Sequence, residues 1–153
     1  MANTPLSPEN PQSASTINAE KLVPKLSVTF LADRDAIDPV VGSVMNAIRE
    51  MCVKGSEDDI ELALTEALAN AVVHGAKSDP SKLIECDVAC DDQKGIIIVV
   101  RDPGTGFDPT KIENPCEGEN LYSNHGRGIF LINQLMDEVQ FHKNGTEIRM
   151  AKK

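Results

Sequence analysis

Gly95-Ile96-Ile97-Ile98-Val99-Val100-Arg101-Asp102-Pro103-Gly104-Thr105-Gly106 is the stretch on which the fold turns. Its run of five branched apolar residues, Ile96 to Val100, predicts a central strand buried on both faces. A carboxylate and two glycines follow directly. Asp102 can accept a hydrogen bond from an exocyclic amine. Gly104 and Gly106 permit backbone turns and close approach of a ligand. Taken alone, the segment also reads as a plain turn.

Working outward, Lys82 to Cys90 predicts a partner strand, joined through a turn at Asp91-Asp92-Gln93-Lys94. Before it, Ser56 stands as an N-cap with Glu57, Asp58 and Asp59 facing the positive end of a helix dipole. Ile60, Leu64, Ala67, Leu68 and Ala71 form that helix's apolar stripe, and Gly75 is its expected terminator. Asp38-Pro39 predicts the start of an earlier helix, with Pro39 in its first position. Val41, Val44, Met45, Ile48, Met51 and Cys52 give its periodicity, which runs to near Gly55. Leu26 to Leu31 alternates as a first strand. Residues 1–22 are rich in Pro, Ser, Asn and Thr and predict a disordered tail, leaving residues 23–153 as one domain.

Downstream, Asp102 to His125 is irregular and punctuated by Pro103, Gly104, Gly106, Pro109 and Pro115. A loop of this length is functional or mobile. Gly126-Arg127-Gly128 opens a short apolar helix, Ile129 to Met136. Glu138 to His142 and Thr146 to Met150 predict a closing hairpin around Asn144-Gly145. The fold class is therefore α+β: a two-layer α/β sandwich whose mixed, mostly antiparallel sheet is covered on one face by helices.

The chain has 153 residues, 41% hydrophobic and only 3% aromatic, with no Trp, so its core is aliphatic. A net charge of −9 argues against direct nucleic-acid binding. No apolar run is long enough to span a bilayer, and no signal-peptide stretch is present. Cys52, Cys86, Cys90 and Cys116 lack Cys-x-x-Cys spacing, which weakens a zinc reading. Cys86 and Cys90 share a strand face, too far apart to bond without distortion. Reduced thiols in a cytoplasmic protein are the expectation.

Two further motifs complete the set. Glu66 and Asn70 stand four residues apart on one helical face, away from the Ile60–Leu64–Leu68 stripe. An Asn oxygen suits Mg²⁺, and a carboxylate one turn earlier can accept a proton from an attacking hydroxyl. Gly126-Arg127-Gly128 at a helix start offers outward N–H groups and a planar cation to phosphate. Neither a Walker motif nor a dinucleotide fingerprint is present.

In this order the three motifs resemble the nucleotide-binding boxes of the GHKL (Bergerat-fold) ATPases, over residues 26–150. Val99-Val100-Arg101-Asp102-x-Gly104-x-Gly106 matches the second box, and Gly145-Thr146 resembles the family's Gly-Thr element near adenine. Glu66-Ala-Leu-Ala-Asn70-Ala-Val-Val-His74-Gly75 and Gly126 to Val139 look like the first box and last helix of the anti-sigma-factor serine/threonine kinases. The small size points to that compact branch, since histidine kinases carry an upstream phosphoacceptor helix.

The resemblance implies that ATP and Mg²⁺ are bound. Asn70 would hold the metal, Asp102 and Thr146 the adenine, Gly104 and Gly106 the turn against the base, and Gly126, Arg127 and Gly128 the phosphates. Residues 108–125 would form a lid. Glu66 would be the general base. Some members of this branch place an Arg just before the last box's glycines. Here Ser123, Asn124 and His125 stand there, and Arg127 lies between the glycines as the candidate catalytic cation. His74 reads as structural, and His125 as a candidate phosphate contact. The implied partners are an anti-anti-sigma (STAS-type) protein and a sigma factor, with no direct nucleic acid, no membrane and a homodimer. The alternative is an ATP-binding regulatory module that binds partners without phosphorylating them.

Overall fold

The computed structural model describes Ile17 and residues 22–51, 55–91, 93–105 and 124–153. β1, Leu26–Leu31, alternates partly buried Leu26, Val28 and Phe30 with exposed Ser27, Thr29 and Leu31, the period of a half-covered edge strand. α1, Arg34–Met51, buries Ile37, Val41, Val44, Met45 and Ile48 along one stripe. It starts five residues before Pro39, which lies inside the helix rather than at its first position. Asp33 takes the capping role, its Oδ1 accepting the Asp35 N–H at 2.9 Å, and Ile37 adds a turn to the apolar stripe.

α2, Glu57–Asn70, buries Ile60, Ala63, Leu64, Ala67 and Leu68. Ser56 precedes it without a side-chain capping bond. Its hydroxyl donates instead to the Lys153 carbonyl at 3.0 Å, which corrects the predicted cap. The acidic first turn, Glu57 to Asp59, is as expected and complements the dipole. β2 (Leu83–Asp91), β3 (Gly95–Arg101), α3 (Asn124–Leu135), β4 (Glu138–His142) and β5 (Glu147–Lys152) complete the chain.

The sheet runs β1-β2-β3-β5-β4, and every pairing among the described strands is antiparallel. The parallel component allowed by the sequence does not occur there. β3 is central, and all of Ile96 to Val100 are buried, as its unbroken apolar run predicts. Alternate residues divide between two cores. Ile84, Cys86, Val88, Ile96, Ile98, Val100, Ile148 and Met150 pack under the three helices. Ile97, Val99 and Ala151 face the other way and are covered by Ile17 and Leu22. Both covering residues fall within the stretch read as a tail, and Ile17 is only 1% exposed. The mechanism is plain: the outer face of β3 is apolar and needs a cover.

Cys86 and Cys90 lie on the helix-covered face of β2, with Cys86 fully buried and the Cys90 Sγ 3.7 Å from the Met51 Sδ. Cys52 and Cys116 lie outside the described residues. Burial, helped by neighbouring Asp87, pushes the Cys86 thiol up to about 12. Iodoacetamide at neutral pH is therefore expected to leave Cys86 unmodified in the native protein and to label it once guanidinium unfolds the chain. Peptide mass spectrometry checks this; native labelling as fast as unfolded labelling would contradict the burial. No described helix is long and apolar enough to cross a membrane.

Candidate nucleotide-binding site

Between α2, α3 and the ends of β3 and β5 lies a cavity of about 240 Å³. That is close to the lower end of small-molecule sites, about 300 Å³. Its walls are aliphatic and aromatic, from Ala67, Ala71, Val100, Ile129, Phe141 and Ile148. Asn70, His74, Asp102 and Thr146 supply the polar groups. An apolar-walled cavity with a few converging polar atoms suits an aromatic heterocycle carrying hydrogen-bonding edges.

Asp102 reaches this slot because it follows the last residue of β3. Side chains alternate, so Arg101 faces the outer side of the sheet and Asp102 the helices. The Asp102 N–H donates to the Thr146 carbonyl at 2.9 Å, carrying the β3–β5 ladder one step past the Arg101–Glu147 register pair. Its Oδ1 accepts the Gly104 N–H at 2.8 Å, which closes a tight turn and fixes the carboxylate. Burial raises the Asp102 pKa, and the Gly104 N–H opposes this with less weight.

Close packing explains two glycines here. A Cβ at Gly104 would strike the backbone of Gly75, its carbonyl carbon at 2.9 Å and its oxygen nearer still. A Cβ at Gly75 would stand 2.5 and 2.6 Å from the Asp102 carboxylate oxygens. Gly75 ends the helical run, as expected, but without a left-handed φ. α2 instead widens into a π-type turn over Ala71–Gly75, with the Ala76 N–H donating to the Ala71 carbonyl at 2.8 Å. Lys77 and Ser78 take the left-handed conformation in its place, at φ 56° and 57°. π-turns of this kind are frequent at functional sites, and this one swings Gly75 and His74 against the cavity. His74 was read as structural; its side chain lines the cavity. Burial first, then Arg34, lowers its pKa.

Thr146 comes from the β4–β5 turn, where Lys143, Asn144 and Gly145 all have positive φ. The turn is longer than Asn144-Gly145 alone predicts, and β5 begins at Glu147 rather than Thr146. The Thr146 hydroxyl donates to the Lys143 carbonyl at 2.8 Å. Its oxygen still has lone pairs for a donor in the slot.

Glu66 and Asn70 share one face of α2, both partly exposed, and that face meets α3. A Cβ at Gly128 would lie 3.0 Å from Glu66 Oε1 and 3.3 Å from Asn70 Oδ1. Gly128 is therefore held against both groups, so the first and last motifs meet in space. α3 begins at Asn124, two residues before Gly126, so Gly126 and Gly128 sit inside the helix rather than opening it. Both are buried, while Arg127 between them is exposed. Gly106, most of the predicted lid and the His125 side chain lie outside the described residues.

The donor set fits a divalent cation carried with phosphates. Asn70 and Glu66 offer hard oxygens side by side, and Mg²⁺ is typically held by one or two protein oxygens with phosphate and water completing its shell. Among the described residues no cluster of three or more His, Cys, Asp or Glu groups can hold a metal alone.

The histidine kinase-like ATPase domain matches residues 30–152. The chain belongs to this family. Within the histidine kinase-like ATPases it is 39% identical over 106 residues to an anti-sigma F factor of Clostridium perfringens, a match spanning 62% of this chain and 71% of that protein. It is 39% identical over 109 residues to the serine-protein kinase RsbW of Staphylococcus epidermidis, spanning 63% and 67%. It is 33% identical over 105 residues to the RsbW of Bacillus cereus, spanning 62% of each chain. The resemblance carried by the three motifs is thereby shown, and with it the anti-sigma kinase branch of this ATPase family. The cavity residues that the sequence reading did not single out are Phe141 and Ile148; the inner-face alternation of β4 and β5 was the signal that held them.

Proposed function

We propose that the chain is an ATP-dependent serine/threonine protein kinase of the anti-sigma type, acting in the cytoplasm on an anti-anti-sigma protein and sequestering a sigma factor. The observation that carries this reading is the convergence of three sequence-distant motifs on one cavity: Asn70 with Glu66, Asp102 with Gly104, and Gly128 against Asn70.

In this reading the adenine amine donates to the Asp102 carboxylate, with Thr146 beside it. The apolar walls sandwich the base and exclude water. Asn70 would hold Mg²⁺, which would offset the negative charge of the phosphates. Glu66 accepts the proton of the partner's Ser or Thr hydroxyl as its oxygen bonds to the γ-phosphorus and the bond to the β-phosphate oxygen breaks. Arg127, at the exposed surface of α3, supplies positive charge to the phosphoryl group. Most of the rate gain comes from positioning and charge stabilisation, which one base, one cation and one metal can supply.

The test is transfer of labelled phosphate from ATP to a Ser or Thr of a co-purified small partner. Transfer supports the kinase. Sequestration of a sigma factor with ATP bound and no transfer would identify a regulatory module instead.

A glycine substitution probes the slot separately. Gly75→Ala forces the Asp102 carboxylate aside and breaks its bond from Gly104. ATP affinity is expected to fall about tenfold, since a charge-assisted hydrogen bond is worth roughly 1.5–3 kcal/mol. The fold should survive, because the displaced group is a side-chain end. Gly104→Ala meets backbone instead and is expected to lose about 1–3 kcal/mol of stability. Calorimetric titration and urea unfolding separate the two effects.

A further inference from the structure

On the outer face of the sheet, away from the cavity, Glu147 is only 1% exposed, and two guanidinium groups hold it. Arg101 Nε donates to its Oε1 at 2.9 Å, and Arg149 Nε donates to its Oε2. Arg101 also donates to Asp87 Oδ2 at 2.8 Å. Arg149 turns its other arm to the Ile17 carbonyl, with Nη1 donating at 2.7 Å. The Ile17 N–H donates to Gln140 Oε1 at 3.2 Å, and its side chain packs on Ile97, Val99 and Ala151.

This network sits directly behind the proposed adenine contacts. Arg101 precedes Asp102, Glu147 follows Thr146, and Arg101 and Glu147 are register partners. Beyond them the order of the sheet ends, in the Asp102–Gly104 turn on one side and three left-handed residues on the other. The ion pair therefore ties together the two strand ends whose next residues cross to the cavity side. Isolated surface pairs do little, but a buried pair with its remaining groups satisfied fixes geometry. Arg149 keeps both arms satisfied only while Ile17 is seated.

We propose that Arg101, Glu147 and Arg149 are positioning residues for the purine-binding pair Asp102 and Thr146, and that the seating of Ile17 on this network tightens ATP binding. The inference rests on the ATP reading of the cavity. Coupling of this kind is reciprocal, so ATP must also hold Ile17 in place.

Titrating the full chain with Mg-ATP and Mg-GTP tests it. Glu147→Gln and Arg149→Gln are expected to weaken ATP binding about tenfold and Ile17→Asp about threefold, within the usual range of coupled sites. GTP affinity should be unchanged, so the ATP/GTP ratio falls by the same factors; Arg101→Lys should keep more of it than Arg101→Gln. The surface variant Arg49→Gln should change neither. In the unsubstituted chain, saturating Mg-ATP should slow hydrogen exchange at the Ile17 amide. Equal losses for both nucleotides, or exchange at Ile17 indifferent to ATP, would overturn the proposal. No ATP binding by the unsubstituted chain would instead sink the reading of the cavity itself.

Discussion

Asp102→Asn is expected to weaken ATP binding about 100-fold while leaving the fold intact. The carboxylate is fixed by the Gly104 N–H and by the ladder bond to Thr146, so its acceptor lone pairs point into the slot without further ordering. An amide in its place has one oxygen where the carboxylate has two, so its NH₂ faces either the base's amine or the Gly104 N–H, donor against donor. Losing a charge-assisted bond in a half-buried site amounts to about 3 kcal/mol. The pH dependence gives an independent sign. Burial raises the Asp102 pKa, with the Gly104 N–H opposing. The ionised form accepts from an exocyclic amine far more strongly than the protonated acid, because its acceptor carries the charge. ATP affinity should therefore fall as the pH drops through that raised pKa, at higher pH than the ordinary Asp value of about 3.9 would give. Stability moves the opposite way at this residue. Where the native state binds the proton more tightly than the unfolded state, acidification through the native pKa adds stability. Asp102→Asn removes both trends. Calorimetric titration and urea unfolding across the acid range measure them; an unchanged ATP affinity in the variant would place the base elsewhere.

Glu66→Ala is expected to slow phosphoryl transfer to the partner by about 10²- to 10⁴-fold, the span of a single general base. ATP binding should persist, because Glu66, one helical turn from Asn70, does not line the cavity. Asn70→Ala should behave differently, losing Mg-dependent affinity and transfer together. Rapid-quench measurement of the labelled partner, beside a titration of each variant, separates a lost base from a lost binding site. Transfer within threefold of the unsubstituted chain, roughly 0.7 kcal/mol, would remove Glu66 from the chemistry.

The parts of this architecture that the chain spells locally were legible. The Ile96–Val100 run announced the central strand, and the α2 stripe and the spacing of Glu66 and Asn70 announced a helix with a polar face. What stayed hidden was set by distant partners. Pro39 reads as a helix start, yet Asp33 caps α1 a turn and a half earlier. Ser56 reads as a cap, yet its hydroxyl bonds Lys153, 97 residues away. Gly75 reads as a terminator and does end the helical run, but nothing local says that its missing side chain also makes room for the Asp102 carboxylate. Ile17 sits in a Pro- and Ser-rich stretch that reads as a tail, yet Arg149, 132 residues on, holds its carbonyl. Local propensity carries no information about such contacts. The GHKL resemblance supplied the candidate site residues, of which the structure brings Asn70, Asp102 and Thr146 to one cavity, because it encodes three-dimensional convergence that spacing along the chain does not.

The account stands on one arrangement: a purine against Asp102 and Thr146, with phosphates and metal against Asn70. A crystal structure with Mg²⁺ and a non-hydrolysable ATP analogue tests it most directly. The expected result is the base's exocyclic amine within hydrogen-bonding distance of an Asp102 oxygen and the metal on Asn70 Oδ1. Nucleotide density elsewhere, with the slot between Ala71, Val100 and Ile148 left unfilled, would contradict it.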